Sequence, residues 1–187
     1  MDKITLTAKS PLDGLDTTNG RCRLCEVTDI SIVSAAMPAG SEKKTMAALK
    51  KAYGLAAPVG RMSTASDKGR ALIATPDQLL ILLNEADGLH AKAVRDALGG
   101  HVYTTDQTDN LVAVEVSGSG AIEALERICS IDLHDSTFPV GSYARTVMEH
   151  LGATIIRTGD TSYLLMSASS SAKSFAHAVQ QSMDYTA

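Results

Sequence analysis

The chain has 187 residues, of which 44% are hydrophobic, 20% are charged and 4% are aromatic, and its formal net charge is −4. This is the composition of an ordinary globular protein, and a chain of this length buries on the order of 70% of its unfolded surface. A nucleic-acid partner is not expected, because the charge balance is acidic and few aromatic side chains are available to stack on bases.

Neither a membrane segment nor a secretory signal is expected. The apolar runs fall short of the roughly 18 residues that a membrane helix needs, and residues 1–9 lack the apolar stretch of a signal peptide. The three cysteines, Cys22, Cys25 and Cys129, are too few for a disulfide framework. We therefore expect a cytoplasmic protein with no membrane partner.

The first elements follow from turn formers and apolar runs. Residues 1–20 are polar and rich in turn formers, which predicts an extended N-terminal arm that becomes ordered only on a neighbouring protein. Two strands are predicted at Arg21–Val27 and Ile30–Ala36. A helix is then expected to begin with Ser41 as its N-cap and to end at Gly54.

A loop, a hairpin and a second helix complete the first half. Leu55–Gly69 shows no periodicity and is predicted to be a loop. The short apolar runs Ala71–Ala74 and Leu79–Leu83 are separated by turn formers, which predicts a β-hairpin. Asp87 is the expected cap of the next helix, which ends at Gly99.

The second half is predicted to contain five strands and two helices. The strands are expected at His101–Thr105, Leu111–Val116, Tyr143–Met148, Ala153–Arg157 and Tyr163–Ser167. One helix follows the turn Gly118–Gly120, and the last helix is expected at Ser170–Met183.

The two halves resemble each other. Leu72–Asp77 and Ile155–Asp160 have similar sequences, and each is followed by an apolar run and a helix. This repetition predicts an α+β fold of two ferredoxin-like-derived β-α-β-β-α repeats, spanning residues 21–100 and 101–187 and packed as one body behind the arm of residues 1–20.

Motifs that could carry chemistry have simpler explanations. Cys22 and Cys25 form a C-x-x-C, but in a strand this spacing places the two sulfur atoms on opposite faces, so they are interpreted as packing residues. Ser41 to Lys44 and Ser170 to Lys173 fit S-x-x-K, yet each lies where a helix begins and serine is the expected cap. The turn Gly118–Gly120 lacks the third glycine of a dinucleotide site. No catalytic residue and no metal site is predicted.

The densest polar cluster is Asp132-Leu133-His134-Asp135. A histidine between two carboxylates could be a tuned base or half of a metal site. The alternative is a turn in which Asp132 and Asp135 accept hydrogen bonds from local N–H groups and His134 contacts a carbonyl oxygen. The turn is favoured because the sequence shows no second ligand cluster.

At this cluster a family becomes recognisable: the sequence resembles the gamma subunit of heterotetrameric sarcosine oxidase. The resemblance covers nearly the whole chain from about residue 22, in order and at matching lengths, which makes it more specific than one motif. It rests on Ile131–His134, Phe138-Pro139, Gly141, Ala144–Thr146, Ile155–Thr158, Asp160–Leu165 and the closing helix, and upstream on Arg23–Val27, Gly54–Gly60, Arg70–Leu72 and Pro76–Leu80.

The resemblance implies a specific function. Such a complex oxidises sarcosine to glycine, produces hydrogen peroxide and passes the one-carbon unit to tetrahydrofolate. Alpha, beta and delta subunits would be the partners, and FAD, FMN, NAD, tetrahydrofolate and zinc would all be bound by those other subunits. The gamma subunit would resemble the folate-binding fold of aminomethyltransferase and of the N-terminal domain of a tRNA-modifying GTPase, without a catalytic residue or cofactor of its own and with a role in assembly and stability.

A stand-alone folate-binding protein or one-carbon transferase is the alternative. It would need a buried carboxylate that faces the pteridine and a concave apolar pocket. Asp132 and Asp160 are the candidates for that carboxylate, although both have turn explanations.

A partner interface is predicted at Ser136–Arg145 together with the arm. Phe138 is one of two phenylalanines in the chain, and it lies beside Pro139 in a loop of small and polar residues. With Arg145 and His134, these residues are the candidate interface, because interface hot spots favour aromatic and arginine side chains. The alternative is that Phe138 fills the gap between the two repeats.

Overall fold

The computed structural model describes residues 8–85 and 90–187, which form eleven strands and four α-helices. The strands are β1 (Asp16–Asn19), β2 (Cys22–Glu26), β3 (Ser31–Ala36), β4 (Thr64–Ser66), β5 (Gly69–Thr75), β6 (Gln78–Leu83), β7 (Tyr103–Asp106), β8 (Leu111–Ser117), β9 (Tyr143–Met148), β10 (Leu151–Gly159) and β11 (Ser162–Ala168). The helices are α1 (Glu42–Tyr53), α2 (His90–Ala97), α3 (Ala121–Glu126) and α4 (Ala172–Asp184). None of the described helices has the length and apolar character needed to cross a membrane.

The strands form two antiparallel sheets. The six-stranded sheet has the order β1-β2-β8-β11-β10-β9, and the five-stranded sheet has the order β4-β5-β6-β3-β7. The predicted hairpin corresponds to β5 and β6, which pair from Gly69 with Leu83 to Thr75 with Gln78. The α+β class is thereby confirmed.

Side chains along each strand point alternately to the two faces of its sheet, and the protein has four layers. In β8, Val112, Val114 and Val116 pack under α3 and α4, whereas Ala113 faces the other sheet. In β3, Val33 lies under α1 and α2, whereas Ile32 joins Ala113 in the layer between the sheets. The order is therefore helices, sheet, sheet, helices, with a core between each sheet and its helices and a third between the two sheets.

Helix boundaries agree with the local signals that the described residues include. α1 begins directly after Ser41 and ends at Gly54, whose φ of 69° allows its N–H to bind the carbonyl of Lys50 at 3.0 Å. The Ser41 side chain makes no capping hydrogen bond, so serine marks the position without capping it. Asp87, the predicted cap of α2, lies outside the described residues.

The predicted repeat boundaries need correction, because strands are exchanged between the two halves. β2 lies in the first predicted repeat but pairs with β8, Leu24 opposite Val116. β7 lies in the second predicted repeat but pairs with β3 of the other sheet. An apolar alternation identifies a strand, whereas its neighbour in the sheet depends on contacts far away in the sequence.

The predicted arm also needs correction from residue 8 onward, while residues 1–7 lie outside the described residues. Residues 16–19 form β1 in the six-stranded sheet, and Leu12 and Leu15 pack against the core. The carboxylate of Glu26 accepts hydrogen bonds from Ser10 Oγ at 2.6 Å and from the N–H groups of Leu12 and Gly14 at 3.0 and 2.8 Å. This segment is thus ordered on the protein's own body.

Glu26→Ala is expected to release this segment, because one carboxylate supplies all three of those hydrogen bonds. Hydrogen exchange should show faster exchange of the Leu12 and Gly14 amides. Glu123→Ala, which removes an exposed ion pair with Arg21, is the matched control and should leave both amides unchanged. Unchanged exchange of these two amides in Glu26→Ala would show that the Glu26 carboxylate does not hold the segment in place.

Candidate functional site

Most of the candidate residues lie in the connection between α3 and β9, residues 127–142. Local hydrogen bonds hold the middle of this connection in a turn. Asp132 Oδ1 accepts the N–H of His134 at 3.0 Å. The carbonyl of His134 accepts the N–H groups of Thr137 and Phe138 at 2.9 and 2.8 Å. The hydrogen bond from the His134 N–H is the main reason that the pKa of the Asp132 carboxyl lies below its ordinary value. Asp132 is therefore an exposed turn residue.

His134 and Asp135 differ from the predicted turn in their partners. The exposed His134 ring places Nδ1 2.9 Å from Ser136 Oγ, so the ring contacts a hydroxyl and not the expected carbonyl. Asp135 Oδ1 lies 2.6 Å from Arg157 Nη1, so this carboxylate pairs with a cation and not with a local N–H. Within the described residues, no group of three or more side chains is arranged to bind a metal ion.

Phe138 points into the protein. Its side chain is 4% exposed and belongs to the core between the six-stranded sheet and its helices. The prediction that Phe138 is offered to a partner is therefore wrong, because a buried ring has no surface to present. Phe138 is a core residue, as the alternative proposed, but it lies below α3 and α4 and not between the two sheets.

Arg157, for which the sequence predicts no role, holds the connection in place through hydrogen bonds. This buried side chain donates hydrogen bonds to the carbonyl oxygens of Phe138, Gly159 and Asp160 at 3.0, 3.3 and 2.7 Å. Its Nη1 also pairs with the exposed Asp135. An arginine that follows two isoleucines in a predicted core strand was the signal available in the sequence, because a buried charge requires partners.

A cavity of about 260 Å³ lies beside Arg157 and is lined in part by Asp135, Asp160 and Tyr163. Burial raises the pKa of Tyr163, and its hydroxyl is buried without a hydrogen-bond partner in the part of the chain that the structure describes. Asp160 is exposed and offers Arg157 its main-chain carbonyl. Because Asp132 and Asp160 are both exposed, neither is the buried carboxylate that the folate alternative requires.

The connection meets the loop before β4, and both expose apolar side chains there. Val59, Met62 and Val140 are 73%, 39% and 45% exposed, and Pro139 is exposed beside them. Met62 forms isolated β-bridges with Val59 and with Ser142. These contacts join the loop before β4 to the loop before β9. We call Val59, Met62, Pro139 and Val140 the junction patch.

The remaining candidates separate into buried and exposed groups. Cys22 is buried in the core whereas Cys25 is half-buried, as expected for opposite faces of a strand, and burial raises the pKa of both thiols. Ser41 is buried whereas Lys44 is exposed, so this S-x-x-K pair does not share one environment. Arg145 is exposed on β9, close to the end of the connection.

Two comparisons with known proteins point to the same family over most of the chain. Residues 35–184 match the model of the sarcosine oxidase gamma subunit family. A protein from Arthrobacter sp. described as sarcosine oxidase subunit gamma is 29% identical over 150 residues, which cover 80% of this chain and 73% of that protein.

Solved structures share the fold. A chain of the heterotetrameric sarcosine oxidase from Corynebacterium sp. U-96, in complex with pyrrole 2-carboxylate, superposes with a TM-score of 0.82 at 23% identity and 96% coverage of both chains. The glycine cleavage system aminomethyltransferase T from Bartonella henselae gives a TM-score of 0.62 at 11% identity, covering 87% of this chain and 46% of that chain. The predicted similarity to the aminomethyltransferase fold is confirmed.

Proposed function

Because the chain belongs to the sarcosine oxidase gamma subunit family, we propose that it is the non-catalytic subunit of a heterotetrameric sarcosine oxidase and acts in assembly and stability. Its partners are the alpha, beta and delta subunits of a cytoplasmic complex. That complex oxidises sarcosine to glycine, forms hydrogen peroxide and passes the one-carbon unit to tetrahydrofolate. In this proposal FAD, FMN, NAD, tetrahydrofolate and zinc are bound by the other subunits.

The junction patch is the observation that carries the assembly role. Val59, Met62, Pro139 and Val140 expose apolar surface where two loops meet. Removing such apolar surface from water favours association with another protein. The loops are fixed to each other by the N–H of Ser63, which donates to the carbonyl of Gly141 at 2.8 Å, so the patch is held in place before a partner arrives.

The proposal also uses the surface predicted from the sequence. His134, Pro139 and Arg145 are all exposed, and they lie in or next to the connection that carries half of the junction patch. With Phe138 buried, Pro139 and Val140 take the place of the predicted aromatic anchor. We include His134, Pro139 and Arg145 in the interface.

Co-expression tests the proposed function. The tagged chain, expressed with the alpha, beta and delta subunits of its own organism, is expected to co-purify with all three and with sarcosine-dependent peroxide formation. The double substitution Val59→Asp and Met62→Asp should abolish co-purification, because it places two carboxylates in a desolvated interface.

Tyr103→Asp is the matched control for this experiment. Tyr103 is an exposed apolar side chain on β7, at the opposite edge of the five-stranded sheet from β4. This variant should co-purify like the wild type. If the wild-type chain does not co-purify with the other subunits, the proposed function is wrong.

A further inference from the structure

The six-stranded sheet extends beyond the area that the five-stranded sheet covers. On β9 and β10, Tyr143 and Ile156 pack between the two sheets. Arg145 and Val147 follow Tyr143 at two-residue spacing, and Thr154 precedes Ile156, so all three lie on the same face. Arg145 is exposed and Val147 is 50% exposed. One end of the inner face of this sheet is thus uncovered.

Two clefts meet on this uncovered face. One, of about 260 Å³, lies between the sheets over the apolar side chains of Leu72 and Leu80. The other, of about 660 Å³, runs over the open ends of β9, β10 and β11 and includes Val147. Both are lined by Leu111, Arg145 and Thr154, so they form one elongated depression. We call it the Arg145 groove.

The charge of the groove is opposite to that of the chain. The formal net charge of the protein is −4, yet Arg145 is the only ionisable side chain among the residues that line the two clefts. The ion pairs formed within residues 8–85 and 90–187 do not include Arg145. A guanidinium group without a carboxylate partner can bind a carboxylate through two parallel hydrogen bonds.

The edge of β9 is less available than its face for binding a partner. At one end of the strand the N–H of Tyr143 donates to the carbonyl of Arg61 at 2.9 Å. Just past the other end, the N–H of Glu149 donates to the carbonyl of Ile128 at 3.0 Å. A partner strand could therefore pair with only a short middle part of β9, which favours recognition through the side chains on its face.

We propose that the Arg145 groove binds a segment of another subunit of the oxidase, which places an aspartate or glutamate against Arg145 and an apolar side chain against Val147. This inference rests on the proposed function and adds the chemistry of the partner. The groove is also continuous with the junction patch: Ser142, which is bridged to Met62, immediately precedes β9. One polypeptide partner can therefore cover both surfaces, whereas a small molecule would fill only part of so long and open a depression.

Charge reversal at Arg145 tests the proposal in the co-expressed complex. R145E is expected to reduce the amount of this chain retained on a tagged partner subunit by about tenfold or more, because it places like charges together. R145K keeps the charge but loses the two-pronged hydrogen bonding, so its retention should be intermediate. Val147→Asp should also reduce retention.

The matched control is R95E, which makes the same charge change on the outer side of α2. Arg95 is exposed and faces Asp96 on its own helix, so R95E should be retained like the wild type. Melting temperatures of the isolated variants establish that R145E and R95E are both folded. If the wild type is retained and folded R145E is retained equally well, the groove proposal is wrong while the proposed function stands.

Two further results would overturn the identity of the occupant. Self-association of the wild-type chain in sedimentation experiments, abolished by R145E, would identify the occupant as a second copy. Stabilisation of the wild type but not of R145E by millimolar glutarate, with subunit retention unchanged by R145E, would identify it as a small carboxylate. If the wild type is not retained at all, it is the proposed function that fails.

Discussion

Phe138→Ala is expected to lower the free energy of unfolding of the isolated chain by about 3–5 kcal/mol, as is typical when a buried phenylalanine is truncated. The ring is almost fully buried in the core of the six-stranded sheet, so its loss leaves a cavity below α3 and α4. For a chain of this length the change corresponds to a fall in melting temperature of roughly 6–20 °C.

Pro139→Ala is the control for Phe138→Ala. The neighbouring Pro139 is exposed, so its substitution should leave the melting temperature close to that of the wild type. Thermal unfolding of the two variants, followed by circular dichroism, measures the difference. A Phe138→Ala chain as stable as the wild type but unable to assemble would restore the interface role that its burial contradicts.

Arg157→Met is expected to lower the free energy of unfolding by about 2–5 kcal/mol. The substitution keeps an apolar stem of similar length but leaves the carbonyl oxygens of Phe138, Gly159 and Asp160 without their donor. The Phe138 carbonyl belongs to the connection before β9, whereas the carbonyls of Gly159 and Asp160 lie at the end of β10. Because Arg157 joins these two segments, its loss should loosen the connection as well. Hydrogen exchange of the Phe138 amide is the direct readout.

Asp135→Asn removes the ion pair of Arg157 but keeps the hydrogen bonds from Arg157 to the three carbonyl groups, so it measures the contribution of the ion pair. The Asp135 side chain is largely exposed although Arg157 is buried, so water can replace it. We expect a loss of less than about 1 kcal/mol. A loss as large as that of Arg157→Met would show that the ion pair, and not the set of carbonyl hydrogen bonds, holds the segment.

The candidate site was predicted only in part. The segment Ser136–Arg145 is placed beside exposed apolar surface, but Val59 and Met62, which provide half of the junction patch, lie in a loop that has no sequence signal. Their exposure depends on how the loop before β4 meets the loop before β9, some 80 positions later. Phe138 illustrates the same limit, because an aromatic residue in a polar loop fits both a core and an interface.

Local signals and family resemblance were sufficient for much of this protein. The hairpin of β5 and β6, the start of α1 after Ser41 and its end at Gly54 follow from turn chemistry and backbone conformation, which neighbouring residues determine. The resemblance carried by Ile131–His134 and Ala144–Thr146 indicated the gamma subunit family, which the family match confirmed. A shared sequence pattern carries such information without any knowledge of the fold.

Tertiary structure alone decided which strands that are distant in the sequence become neighbours, and which side chains of the loops and strands stay exposed. β2 belongs to the first half of the sequence but pairs with β8 of the second half, and β7 belongs to the second half but pairs with β3 of the first. The uncovered face with Arg145 and Val147 exists because one sheet extends past the other. Alternation along a strand indicates that one face is buried, but the area that is buried depends on the extent of the layer packed against it, and that extent is a property of the whole fold.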